Sequence, residues 1–392
     1  MTMTTQTAGF DRAGLCIEPL DMLFFRDGRP FGGTLHGQSR FPLPQTFAGA
    51  IRTHLLRQAG CDFARLKTCL VKKMPLDEAI ESVCGAGWIG RMIVRGPWLA
   101  RLPSKDRPQF DVLVPMPSTL HWLKDASARQ GSAASELVRL DPLSPDQDLP
   151  GWQPSEKGIR PLWPRQRGRT ERAEGFLTPD GLRAFLEGQV PKSNDMVKPK
   201  DLYDFDRRTG IGIDPDRLSA EESMIYTASF LVLKPGVRWY VEIDLPPESP
   251  ADMFSNNAVV SLGGEGRQAR LERVERFSWP EASPSPKSDQ AGRLLLLTTP
   301  GLFEAGWRPK CLSPTDRLVA ASVPGHLAVL GWDLARGGPK PARFAVPAGS
   351  VYFISNSLDT LPRGSLADRP EDVLEGWGCY LKGAWNYVGN KK

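Results

Sequence analysis

The sequence predicts an α+β protein rather than a doubly wound parallel sheet. Three observations lead there. The elements read as strand, helix, strands and then further strands, with no regular alternation of strand and helix. The second half is rich in strand patterns, and Val237-Arg238-Trp239-Tyr240-Val241-Glu242-Ile243 alternates its apolar members. Across 392 residues there are 36 Pro and 38 Gly, which implies many turns, long connections and irregular insertions.

In chain order, a polar leader from Met1 to Ala13 is expected to be disordered, and the apolar run Leu15 to Phe24 reads as a buried strand. A helix is expected from about Gln45 to Gln58. Phe47, Ile51 and Leu55 recur every four residues, Pro44 precedes them and Gly60 closes the segment, so the stripe packs on a sheet and Arg52 and Arg57 lie off its centre. Arg91 to Val94 and Asp111 to Val114 read as strands, whereas Asp125 to Gly151, rich in Ser, Pro, Asp and Ala, reads as an insertion. Thr178-Pro179-Asp180 starts a short helix with Leu182, Phe185 and Leu186 on its apolar face and Gly188 as its stop. Met224 to Leu233 follows as a strand, and Ala258 to Leu262 leads through a Gly-Gly-Glu-Gly-Arg turn into a return strand ending near Phe277. After a Pro/Ser-rich connector come strands at Leu294 to Thr298, Leu327 to Trp332 and Ser350 to Ile354. No repeat of 20 to 50 residues is visible, which argues against a solenoid or propeller. Two ferredoxin-like β-α-β-β-α-β units with extended loop insertions are the natural candidate, divided as 14–215 and 216–392.

The length allows two domains with cores of their own. Hydrophobic residues at 40% and charged residues at 24% are ordinary for a globular protein. No run approaches the roughly 20 apolar residues of a membrane span, and no signal core opens the chain. The six cysteines form no CxxC pair and the four histidines lack metal-ligand spacing, so a cytoplasmic protein with reduced thiols, no structural zinc and no cofactor is expected. The net charge of +5 is too small to indicate nucleic acid alone, yet it is uneven. Lys157, Arg160, Arg165, Arg167, Arg169 and Arg172 stand against the one acid Glu171 between 157 and 172.

The most informative segment is Phe25-Arg26-Asp27-Gly28-Arg29-Pro30-Phe31-Gly32-Gly33. At the exit of the first strand it places guanidiniums, rings and glycines where backbone amides can approach a phosphate. Its bland alternative is a solvated turn. Two further loops share its character, Leu262-Gly263-Gly264-Glu265-Gly266-Arg267 and Gly376-Trp377-Gly378-Cys379-Tyr380-Leu381-Lys382-Gly383. A single-stranded RNA needs donors for phosphates, planes for stacking and glycines for close approach, and these loops supply all three.

Other features divide between a chemical and a plain reading. The window around Trp163 is either a solvated basic loop or an arm that orders on RNA or a neighbouring subunit, with Trp152 and Trp163 as stacking groups. Arg267, Arg270, Arg273 and Arg276 alternate between the faces of an expected strand. Arg207 and Arg208 read as turn residues or as part of an RNA loop. Asp201, Asp204, Asp206, Asp214 and Asp216 read as solvated loop acids rather than a metal site. Neither a GxxxxGK[ST] phosphate loop nor a Gly-Gly-Asp-Asp polymerase sequence is present. His36, after the arginine loop, is the sharpest candidate for metal-independent RNA cleavage, against the readings of a simple RNA contact or a surface histidine.

Taken together, Ile17-Glu18-Pro19-Leu20-Asp21 with Phe25 to Phe31, Arg208-Thr209-Gly210-Ile211-Gly212-Ile213-Asp214, Leu262 to Arg267, Val346-Pro347-Ala348-Gly349-Ser350-Val351-Tyr352 and the terminal glycine loop resemble the RAMP proteins of CRISPR systems, specifically the handle-binding subunits of type III-B (Cmr) effector complexes. The resemblance spans nearly the whole chain. It implies a non-catalytic subunit with two ferredoxin-like (RRM-like) domains, acting in antiviral defence. Such a subunit holds the crRNA 5′ handle and caps the ribonucleoprotein between the large polymerase-like subunit and the adjacent backbone subunit, meeting target RNA only indirectly. The RNA-contacting residues expected on this basis and on the loop chemistry are Arg26, Asp27, Gly28, Arg29, Phe31, His36, Arg40 and Arg52, then Arg208, Gly263, Gly264 and Arg267, and finally Gly376, Gly378, Lys382 and Gly383. The terminal loop departs from the family pattern, because Cys379 to Lys382 separates Gly378 from Gly383. An endoribonuclease processing precursor crRNA is the competing reading.

Overall fold

The computed structural model describes residues 11–25, 41–103, 110–124, 136–147, 149–154, 156, 158–213, 217, 220–250, 253–254, 258–281, 291–313, 317–333, 338–355 and 361–389. It is an α+β protein built mainly from antiparallel sheets. The elements that organise it are β1 (Asp11–Pro19), α1 (Pro44–Gln58), β2 (Ile93–Arg101), β3 (Asp111–Pro115), α2 (Pro179–Leu186), β4 (Tyr203–Ile213), β5 (Ala220–Leu233), β6 (Val237–Leu245), β7 (Ala258–Ser261), β8 (Gln268–Val274), β9 (Ala291–Leu297), β10 (Leu318–Ser322), β11 (Val351–Ile354), α3 (Pro370–Leu374) and β12 (Tyr380–Asn386).

The largest sheet has the order β7-β8-β1-β6-β2-β3, extended by the short strands Phe176–Leu177 and Met196–Val197. β6 sits at its centre, pairing Val241 with Leu15 and Trp239 with Ile17 on one side and Leu99 with Trp239 on the other. Both of its faces are covered, and Val237 to Leu245 is buried except at Arg238. α1 lies on this sheet as its spacing predicts, burying Phe47, Ile51 and Leu55, with the Phe47 ring 5.5 Å from that of Trp239. Beyond α1, the helices Phe63–Val71 and Leu76–Cys84 extend the same core. Both were missed by the sequence reading, although Asp62 is a legible cap whose carboxylate accepts from the amides of Ala64 and Arg65.

The second sheet has the order β10-β11-β9-β12 and buries Leu294 to Leu297 with Val351 to Ile354. α2 starts on Thr178 as expected, its hydroxyl accepting from Gly181, and packs Leu182, Phe185 and Leu186 into the same core. The expected strand Leu327 to Trp332 splits into Leu327–Val329 and Trp332–Asp333, which belong to different small sheets.

β4 and β5 form a long two-stranded hairpin, and the boundary expected at 215/216 falls between them. The large sheet takes β1 to β3 from before that point and β6 to β8 from after it. The basic window is not an arm. Leu162–Pro164 and Arg169–Arg172 are the two outer strands of a four-stranded sheet whose inner strands are Glu136–Pro142 and Leu120–Lys124. Buried Arg139 ties this sheet to the body by donating to the carbonyls of Phe185 (3.0 Å) and Ala384 (2.8 Å). Its Nε lies 2.9 Å from Asp141 in an ion pair without hydrogen-bond alignment, and burial pushes the Asp141 carboxyl up and the guanidinium down. Among the described residues no helix is long and apolar enough to cross a membrane.

Candidate nucleic-acid interface

β1 ends at Pro19, earlier than the apolar run suggests, because the chain leaves β8 there and crosses to the hairpin. Leu23 exchanges two backbone hydrogen bonds of 2.8 Å with Leu231 of β5, while Leu20 is exposed. The carbonyl of the next residue, Phe24, accepts from the amide of Gly264 at 2.8 Å. A Cβ on Gly263 would lie 2.6 Å from that same carbonyl, and its φ of +82° is one that side chains resist, so glycine is required at this crossing. The Gly263-Gly264 turn therefore closes over the root of the N-terminal arginine loop. Arg26, Asp27, Gly28, Arg29, Phe31, His36 and Arg40 lie outside the described residues.

Two of the expected arginines meet at one ring. The guanidinium of Arg267 stands 4.9 Å and that of Arg208 5.8 Å from the ring centre of Phe230, itself 5.3 Å from Phe24. A guanidinium over a ring face is attracted to it and keeps its N–H groups as donors. Asp21 pairs with Arg267 at 2.6 Å and Asp206 with Arg208 at 2.9 Å, which fixes their direction and reduces their net charge. Arg207 and Arg208 are not turn residues: they lie inside β4, opposite Ser229 and Ala228, and this strand position brings Arg208 to the ring. Asp204 is likewise a strand residue, paired with Lys234 at 2.6 Å, and Asp214 and Asp216 lie outside the described residues.

The remaining expected residues are placed elsewhere. Arg52 is buried, not off the stripe, and donates to the carbonyls of Met92 (2.9 Å) and Leu374 (2.8 Å), with burial lowering its pKa. The terminal glycines approach the protein's own backbone. A Cβ at Gly376, whose φ is +87°, would lie 2.3 Å from the Val94 carbonyl, at Gly378 2.8 Å from the Ala367 amide, and at Gly383 2.9 Å from the Leu186 carbonyl. Lys382 alone of that set is exposed.

Beside the Phe24 crossing opens a groove of about 930 Å³. One wall is α1, with Gln45, Thr53, His54 and Arg57; the other carries Leu327, Leu330, Lys340 and Pro347 from the second half of the chain. Burial, helped by the charge of Arg57, lowers the His54 pKa, and its Nε2 has no hydrogen-bond partner. The sequence reading missed this groove because its walls come from segments nearly 300 residues apart.

A family model described as CRISPR-associated protein (Cas_Cmr3) matches residues 15–385. The fold is similar to a chain of "Cryo-EM structure of the Type III-B Cmr-beta bound to cognate target RNA", at 17% identity and a TM-score of 0.48, covering 87% of this chain and 86% of that one. The AMPPnP-bound form of that complex gives 18% identity and 0.46 over the same shares. "Crystal structure of Csm3-Csm4 subcomplex in the type III-A CRISPR-Cas interference complex" gives 11% and 0.36 over 88% of this chain and 95% of that one. These likenesses are distant, and the assignment does not rest on them; no curated protein matches the chain. The family match, which runs from the first strand to the last, decides the question: the chain belongs to the Cas_Cmr3 family of CRISPR-associated proteins.

Proposed function

We propose that this chain is a non-catalytic subunit of a type III-B CRISPR RNA-guided effector complex, binding the 5′ handle of crRNA and capping the complex beside its large polymerase-like subunit. One observation carries the reading: Arg208 and Arg267, distant in sequence, stack on Phe230 where the Gly263-Gly264 turn covers the root of the basic N-terminal loop. Guanidiniums held against a ring beside a glycine turn suit the phosphates and bases of a single strand. The two sheets support the fold half of the proposal. Taken as β8-β1-β6-β2 and β12-β9-β11-β10, each has the order fourth, first, third, second of a ferredoxin-like unit. Among the described residues, the first carries the helices of its first crossover, α1 foremost, and the second the short α3 before its last strand.

The test is the assembled complex carrying Arg208→Ala with Arg267→Ala, titrated with handle RNA over a range of salt. The expected result is weaker binding and a salt slope flatter by about 0.7 per lost phosphate contact. Unchanged affinity and slope would refute the site. Release of a 2′,3′-cyclic phosphate from precursor RNA, abolished by His36→Ala, would refute the non-catalytic assignment.

A further inference from the structure

We propose that the groove between α1 and the second half of the chain is a docking site for an extended peptide segment of a neighbouring subunit, apolar in character and carrying carboxylates at two points. It requires the effector complex proposed above, and it holds whether or not the Phe230 site grips RNA.

The lining sets the chemistry. Pro42, Pro97, Pro300 and Pro347 together with Phe25 and Phe41 make much of the wall apolar, in a groove large enough for several side chains. Among the described residues no carboxylate lines it, whereas Arg57 and Lys340 do, both exposed and both without an ion pair or side-chain hydrogen bond. The two cations mark its ends. Gln45, at the start of α1, donates to the Leu330 carbonyl at 3.3 Å, and a Cβ on Gly331 would lie 3.4 Å from that same Nε2 and 3.5 Å from Cδ of Lys340, so the lysine stem runs beside Gln45. Arg57 lies about 18 Å further along the helix, at 1.5 Å per residue. An extended chain covers that distance in roughly five residues, which is the spacing expected of the partner's two acids. His54 adds no third charge at neutral pH, because burial and the nearby Arg57 lower its pKa.

A single strand of RNA needs a positive track along its backbone and open ring faces. Two cations so far apart are no track, and the rings here pack on the protein itself: Phe41 stands 5.4 Å from Tyr203 and 5.0 Å from Trp239, while Phe24, Phe25 and Phe176 are buried. The groove also offers backbone. Leu327 and Ala328 both line it from the strand Leu327–Val329, and successive strand residues point to opposite faces, so the groove meets this strand at its edge. That strand pairs only with Arg343–Val346, and among the described residues its outer side takes no backbone hydrogen bond. An unpaired edge beside an apolar trough suits an added strand, whose backbone bonds to the edge while its side chains fill the trough. The chain's own segment 26–40 has the wrong charge for this place, with Arg26, Arg29 and Arg40 against the one acid Asp27.

In the reconstituted complex, p-benzoylphenylalanine placed at Thr53 or, separately, at Leu330 probes the two walls. Irradiation should join both positions to one segment of one neighbouring subunit, identified by mass spectrometry as apolar with acids roughly five residues apart. Crosslinks to RNA or to residues 26–40 of this chain, or none from either position, overturn the proposal. A fluorescein-labelled peptide of the crosslinked sequence, titrated against the full chain, should bind, and Arg57→Glu with Lys340→Glu should weaken it by roughly 10-fold or more. Unchanged affinity in that variant overturns the proposal as well. Arg208→Ala with Arg267→Ala should bind the peptide as the parent does, so a failure of the RNA site and a failure of the groove are read separately.

Discussion

At Phe230 the proposed interface rests on more than charge. Two guanidiniums share its ring, and each also has a carboxylate, so the aromatic plane and the acids together set where the donors point. Phe230→Leu keeps most of the apolar volume and should cost under about 1.5 kcal/mol of stability. It removes the plane from both arginines, at about 0.5–1 kcal/mol each. Handle affinity should then fall roughly 5- to 30-fold with little change in thermal midpoint, read by anisotropy and differential scanning calorimetry. A Leu variant that binds as tightly as the parent would remove Phe230 from the account. The loop sequences disclosed Arg267 and Arg208 as candidates, but not this ring, because Phe230 sits in an ordinary strand with no local mark of its role.

At the scale of elements, the glycine-rich segment after α3 has the composition of a ligand loop and the geometry of a joint. Gly376 brings its backbone against β2, and Arg52 of α1 ties Met92 to Leu374 at the same junction. Gly376→Ala combines a left-handed φ with a Cβ 2.3 Å from a carbonyl oxygen. We expect it to destabilise by about 2 kcal/mol or more in urea denaturation, with unchanged RNA affinity in the fraction that remains folded. A variant with parental stability and impaired RNA binding would return the loop to the interface. Composition could not separate these outcomes, since glycine permits close approach equally to a phosphate and to another strand.

Over the whole molecule, the largest sheet makes the two halves of the chain interdependent. β1 lies between β6 and β8, both of which come after residue 215. A fragment ending at 215 exposes both edges of β1 and uncovers the face of α1 that packs on Trp239. Expressed alone, residues 1–215 should lack a cooperative thermal transition, and limited proteolysis of the intact chain should not release a stable piece cut at 215. A soluble 1–215 fragment with a sharp transition would show that the first half folds independently. This topology also explains the groove beside Phe24, whose two walls meet only after the late strands return to α1.

The sequence by itself determined the α+β class, α1 and α2 with their buried faces, the hairpin around Gly263-Gly264, and the family through motifs spread along the chain. Each of these depends on local periodicity, capping or turn chemistry, which neighbouring residues specify. Only the tertiary structure decided that Arg52 is an internal strut, that the terminal glycines pack on backbone, that Arg208 joins Arg267 at Phe230, and that the basic window supplies the two outer strands of a four-stranded sheet. Those outcomes depend on which distant strands pair and in what register, and an arginine or glycine reads the same in sequence whether it faces solvent or another part of the protein.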